Sequence, residues 1–277
     1  MSPAILAQYL LPHKTLSRIV RAATRWTWRP WKNLLIGRVV RAYRVDMAEA
    51  AQPDPFAYPS FNAFFTRALR DGARRAQGDD DAILSPADGC ISQIGRIQAG
   101  RILQAKGRTY SVAELLADTG AAARYGNGAF VTIYLSPRDY HRVHMPLEGE
   151  LVETVHVPGR LFSVAPGPVA GIPGLFARNE RLVCHFKGPR GPFAVAMVGA
   201  MLVSGITTVW SGKVVPAYAR AIVRRDWRGH GIRLARFAEM ARFEMGSTVI
   251  VLVPAGQFDP KFGSENAVTV GQRLGHL

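Results

Sequence analysis

The chain has 277 residues, 48% of them hydrophobic and 20% charged, which excludes a disordered tail and allows one or two folded domains. Glycine (27) and proline (18) are plentiful without a collagen-like period, so many turns and short strands are expected. The formal net charge of +15 implies an anionic partner: nucleic acid, anionic lipid or an acidic substrate. Two cysteines, Cys90 and Cys184, are too few for a disulfide framework or a four-cysteine zinc site; both sit in apolar runs and read as buried free thiols of a reducing compartment.

The charge is unevenly spread. Residues 1–44 hold nine Lys/Arg and no Asp or Glu. The N-terminus lacks a basic leader, and Pro12 and His13 interrupt its apolar stretch, so no signal peptide is expected. Over 14–29 the basic residues Lys14, Arg18, Arg21 and Arg25 recur at helical spacing, with Leu16, Ile19, Val20 and Ala23 on the other face. Trp26, Trp28 and Trp31 cluster around Pro30, which should end this helix and precede a second over roughly 31–45. A basic face, an apolar face and clustered tryptophan fit a helix lying in a membrane interface. A helical subdomain packed on the body and a nucleic-acid arm are the alternatives.

Residues 48–60 read as a proline-rich linker, and Ser60 is a candidate N-cap for a short helix. From Ile83 onward, short β-branched runs alternate with turns: Ala129–Leu135, Leu151–Val157, Leu182–Phe186, Phe193–Val203 and Thr248–Val253. Gly191–Gly212 is uncharged and long enough to span a bilayer, but its Pro, Gly, Ser and Thr content suits two short buried strands. Only Val112–Ala117 and Gly231–Ala241 read as helical in this body. The expected fold is α+β, a sheet-rich, mostly antiparallel core preceded by amphipathic helices.

GxGxxG, P-loop, HExxH and CxxC motifs are absent, and Met245 stands where a GxSxG elbow needs glycine. Three clusters remain. Asp88 lies in Ser85-Pro86-Ala87-Asp88-Gly89, where an Asp is ordinarily a turn residue. Tyr140-His141-Arg142-Val143-His144-Met145-Pro146 carries two histidines without the further ligands a metal needs, so no metal is expected; one His held by an Asp makes a general base. Gly246-Ser247-Thr248 enters the apolar run Val249–Val253 and by itself is a tight turn.

Together with PGRLFSV (158–164), LFARNERLV (175–183), VGAMLVSGITTVW (198–210) and FEMGSTVIVLVP (243–254), these clusters resemble the bacterial phosphatidylserine decarboxylase family. The likeness extends upstream through VDMAEA (45–50) and SFNAFFTRALRDGARR (60–75) to the basic helices, and so covers nearly the whole chain. The family often has Leu where Met245 stands, a minor departure that leaves Gly-Ser-Thr intact.

The resemblance implies a proenzyme that cleaves itself at Gly246–Ser247 into a β chain, 1–246, and an α chain, 247–277, which stay together as a heterodimer. Asp88, His144 and Ser247 would form a triad acting once on its own chain; in turnover His144 or His141 would return the proton to the carbanion, with His141 favoured as the auxiliary. Ser247 would become a covalent pyruvoyl cofactor that decarboxylates phosphatidylserine to phosphatidylethanolamine through a Schiff base, with no metal. Residues 1–55 would be a membrane-association region, peripheral on the cytoplasmic side of the cell membrane, and 56–277 the catalytic domain. A homodimer of these pairs is the assembly the family suggests, and nucleic acid is not an expected partner. A serine hydrolase that turns over without self-cleavage, a basic nucleic-acid-binding protein and an unprocessed scaffold are the rival readings.

Overall fold

The Ser247–Val253 strand is buried along its whole length and feeds two cores, because successive side chains of an extended strand point to opposite faces. Val249, Val251 and Val253 enter one apolar cluster, Ile250 and Leu252 the other. This computed structural model describes residues 3–202, 205–215, 221–245, 247–254, 257–259 and 262–277.

The strand sits inside a nine-stranded sheet. Its spatial order is Val223–Asp226, Gly149–Val157, Arg181–Gly188, Gly191–Gly199, Ser247–Val253, Ala129–Leu135, Gly89–Arg96 and Ala267–Val268, with Arg233–Leu234 also on Gly149–Val157. All of its ladders are antiparallel. A four-stranded sheet (Gly212–Val215, Gly205–Thr208, Glu239–Glu244, Arg142–His144) and a three-stranded one (Ala82–Leu84, Arg273–His276, Gln257–Phe258) contribute Val143, Ile206, Phe243, Ile83 and Leu274 to the first core. Short helices over Val112–Leu116, Thr119–Ala123, Pro166–Gly171 and Leu175–Arg178 feed the second. The helix at Val112 starts where expected, on a reciprocal Ser111–Glu114 cap.

Three helices precede this body: α1 (Pro3–Leu10), α2 (His13–Arg25) and α3 (Arg29–Tyr43). α1 was not anticipated. Pro30 lies in the first turn of α3, where its missing N–H costs nothing, so the break falls at 26–28, before the proline. A fourth, α4 (Phe61–Phe65), is capped by the Ser60 hydroxyl, which accepts from Ala63 N–H at 3.2 Å. Ile36, Val45, Phe61, Phe64 and Phe65 form a third cluster that reaches Met245, so the helices are attached at the end of the Glu239–Glu244 strand.

The structure corrects two readings. Gly231–Ala241 is not helical: it holds the strand Arg233–Leu234 and the start of Glu239–Glu244. Phe237 stands at φ +72 and Gly231 at φ +66, which no α-helix accommodates, and Glu239–Glu244 is hydrogen-bonded to strands on both sides. Cys184 is buried, but Cys90 is only half-buried; both are free. Gly191–Gly199 and Gly205–Thr208 are strands, as expected of the long uncharged stretch, and among the described residues no helix is long and apolar enough to cross a membrane.

Candidate active site

Ser247 opens the central strand, with Leu135 opposite it on one side and Gly199 on the other. It is fully buried, and its Oγ has no hydrogen-bond partner among the described residues. A hydroxyl stripped of water and left unpaired is costly, and such groups in a native core call for an explanation. Met245, two residues upstream, stands at φ +84, a conformation that costs a non-glycine residue about 1–3 kcal/mol. Gly246 lies outside the described residues.

Gly199 is held in place by buried polar groups. Its N–H donates to the Glu180 carbonyl and its own carbonyl accepts from Asn179 Nδ2, both at 2.9 Å. Asn179 also bonds both backbone groups of Phe162, at 3.0 and 2.8 Å. One side chain therefore ties PGRLFSV and LFARNERLV to the residue facing Ser247. Beside it, the buried Glu180 carboxylate lies 2.8 Å from His156 Nε2.

The Asp88 turn is fixed next to His144 by backbone contact, since the His144 N–H donates to the Pro86 carbonyl at 2.8 Å. Gly89 follows because a Cβ there would run into the Tyr134 backbone oxygen. The expected Asp88–His144 hydrogen bond is not among those made. The Asp88 carboxylate accepts from Arg74 Nε and Nη2 (3.1 and 2.6 Å) and from the Val270 N–H (2.7 Å). His144 is instead oriented by the Phe237 carbonyl, 2.7 Å from Nδ1, while Nε2 lies 3.0 Å from the Tyr140 hydroxyl. With Nδ1 carrying the proton, Nε2 is the acceptor.

His141 is completely buried. Its Nδ1 bonds the Asp139 carbonyl at 2.8 Å, its ring lies 4.0 Å from that of Phe65, and Nε2 has no partner. Two polar atoms, Ser247 Oγ and His141 Nε2, are thus buried and unpaired among the described residues, and the Phe243 N–H, four residues before Ser247, donates to the His141 carbonyl at 2.9 Å.

A family model described as phosphatidylserine decarboxylase matches residues 61–276, and a second, described as PSD, matches residues 3–44. The chain belongs to the phosphatidylserine decarboxylase family. A phosphatidylserine decarboxylase proenzyme of Xanthomonas oryzae pv. oryzae (strain KACC10331 / KXO85) is 57% identical over 276 residues, covering 99% of this chain and 98% of the relative. One of Stenotrophomonas maltophilia (strain R551-3) is 56% identical over 279 residues, covering 100% of both. This member of the phosphatidylserine decarboxylase family is accordingly an enzyme, a decarboxylase.

The electrostatics of this decarboxylase suit proton transfer. Burial pushes His141 down to about 3, so its ring is neutral at ordinary pH. Burial also lowers His144, although the Phe237 carbonyl, Glu239 and Asp88 pull the other way. Burial raises the Tyr140 hydroxyl, which keeps its proton. Sequence reading missed Tyr140, the Phe237 carbonyl, Arg74 and Asn179. Tyr140 was legible four residues before His144; the other three reach the site from 14 or more residues away in the chain.

Proposed function

We propose that this enzyme converts phosphatidylserine to phosphatidylethanolamine after cutting its own chain at Gly246–Ser247. The observation that carries the reading is the buried, unpaired Ser247 hydroxyl at the head of the central strand, behind the strained Met245. Ser247 Oγ attacks the Gly246 carbonyl and replaces the peptide nitrogen, so the peptide bond becomes an ester. His144 Nε2 takes the hydroxyl proton, directly or through Tyr140. Asp88 acts on His144 through space and through its turn, whose Pro86 carbonyl accepts from the His144 N–H, because its oxygens are committed to Arg74 and Val270. Elimination then leaves the Gly246 carboxylate and an unsaturated residue 247, whose hydrolysis releases ammonia.

The strand head fits the resulting pyruvoyl group, since the only side-chain oxygen of residue 247 has no bond to lose. Bound there, the group supplies a carbonyl that condenses with the substrate amine and draws off the electrons of the departing carboxylate. Leu135 and Gly199 hold it from the two flanking strands. His141, without a proton to give near neutrality, accepts a hydrogen bond from the substrate. We therefore move proton return from His141, the expected auxiliary, to the Tyr140–His144 pair. The α chain, 247–277, stays with the β chain because Val249–Val253 buries five apolar side chains, worth on the order of 10 kcal/mol.

The helical region, 1–55, is proposed to dock on an anionic membrane. α2 turns His13, Ser17 and Thr24 toward the protein and leaves Ile19 60% exposed, the reverse of a helix that packs only on protein. Leu10, Trp26 and Trp28 are likewise exposed, at 79%, 55% and 55%, among the basic residues of the arm.

Intact mass spectrometry of wild type beside Ser247→Ala tests the central claim. Wild type should give two chains, the smaller starting at a pyruvoyl-blocked residue 247; the variant should stay whole and release no carbon dioxide. Cleavage surviving in Ser247→Ala, or an active uncleaved wild type, refutes it.

A further inference from the structure

Arg67 is a buried cation that makes no ion pair among the described residues. It is 4% exposed, and its Nε and Nη1 are both buried without a partner; only Nη2 is bonded, to the Arg138 carbonyl at 2.9 Å. Two other arginines show how such a group is usually satisfied. Arg74 spreads its nitrogens over the Glu49 and Asp88 carboxylates, and the buried Arg181 donates to four backbone carbonyls. Arg67 has one contact of another kind, with its guanidinium carbon 5.5 Å from the centre of the Phe64 ring, and this leaves the Nε and Nη1 N–H groups unused.

Arg67 lines a cleft of about 250 Å³ together with Arg44, Arg138, Asp88, Asp139 and Tyr140. The carboxylates there are engaged by other groups: Asp88 and Glu49 by Arg74, Asp139 by the Ser136 N–H at 2.6 Å and by Arg138 at 3.7 Å, and Asp46 by the Ala48 N–H at 2.8 Å. The cleft adjoins the reaction centre, since Tyr140 bonds His144 and the Asp139 carbonyl bonds His141.

We propose that Arg67 is a substrate-binding residue that grips the phosphodiester of the lipid head group, with Arg138 and Arg44 at the mouth of the same cleft. The assignment rests on the decarboxylase reading above. The head group carries two anions, and their chemistry separates them. The carboxylate must leave as a neutral molecule, so a guanidinium on it would stabilise the starting state and slow the reaction. The phosphodiester keeps its charge from substrate to product, and only an oxygen and a methylene separate it from the reacting carbon. A planar fork beside the histidines can hold it throughout.

Binding that is equal in ground and transition states appears in KM and not in kcat. The matured two-chain enzyme would be assayed with short-chain monomeric phosphatidylserine, which removes membrane docking from the measurement. Arg67→Gln should mature normally, raise KM by about tenfold to a hundredfold and change kcat less than about threefold, as loss of a charged hydrogen bond implies. Competitive inhibition by glycerophosphoethanolamine should weaken by the same factor, and inorganic phosphate should compete far less well with wild type. An unchanged KM in matured Arg67→Gln overturns the assignment, as does phosphate competing as well as the diester, which would mark a free-phosphate site. If Arg67→Gln does not mature, Arg67→Lys takes the same assay: an ammonium cannot make the paired contact, so KM should rise at least about threefold, and unchanged KM and inhibition overturn the assignment. A wild type that releases no carbon dioxide from phosphatidylserine would sink the decarboxylase reading instead. Calorimetric binding of glycerophosphoethanolamine to wild type and Arg67→Gln would still read Arg67 alone.

Discussion

The head of the central strand and the N-terminal helices break the burial rule in opposite directions. At Ser247 and His141, polar atoms are buried with nothing to bond. At Leu10, Ile19, Trp26 and Trp28, large apolar side chains face outward. Water would satisfy the first set and is excluded; it is unfavourable for the second set and is admitted. The two anomalies call for complementary partners: polar reacting groups inside, and a nonpolar phase outside. They are also physically joined. α1 holds PGRLFSV, through Gln8 on the Ser163 N–H and Arg160 on the Tyr9 carbonyl, and Asn179 carries that segment to Gly199 opposite Ser247.

The strongest challenge to this contrast is to unfasten the inner region. Asn179→Ala leaves the Gly199 carbonyl and both Phe162 backbone groups buried and unpaired, and should cost on the order of 4 kcal/mol. Denaturant unfolding would measure the loss, and gel analysis should show slower maturation. Full stability together with full maturation would mean that Asn179 does not hold the strand head.

Acid should act on the inner region next. The folded pKa of His141 is depressed to about 3, so between that value and its ordinary 6.5 the unfolded chain binds the proton first. Stability is therefore fully present above about pH 6.5 and falls as pH drops toward 3, by on the order of 3 kcal/mol at pH 4 from this residue alone. Unfolding curves of wild type and His141→Gln should converge in acid, and parallel curves would place His141 in contact with water.

The smallest effect should belong to the outer region. Trp26→Ala with Trp28→Ala removes side chains that are already exposed, so Tm should hold within about 2 °C while partitioning onto anionic vesicles falls about tenfold. A large drop in Tm would show that these rings pack on protein and would collapse the contrast.

Much of this could be read along the chain. The all-apolar run after Ser247, the alternation of short strands and turns, the Ser60 cap and the basic, tryptophan-rich arm follow from local spacing and composition, which extended and helical backbones convert directly into faces. Asp88, His141, His144 and Ser247 came from a family resemblance; the fold sets the Asp88 turn against His144 and the His141 carbonyl against the strand that leads toward Ser247. Local spacing failed at 231–241, where positive φ values and cross-strand pairing overrode an apparent helical run.

The amino-acid order thus determined most of the strands and where the positive charge lies, because each depends on near neighbours, and a resemblance to a known family supplied the candidate site residues. Only the tertiary structure decided who bonds whom. Arg74 takes Asp88, the Phe237 carbonyl takes His144, and Arg67 takes no counter-ion among the described residues. Those outcomes depend on which groups from distant segments reach a buried site, and a charge shut away from water there must find its partner across space or wait for a ligand to bring one.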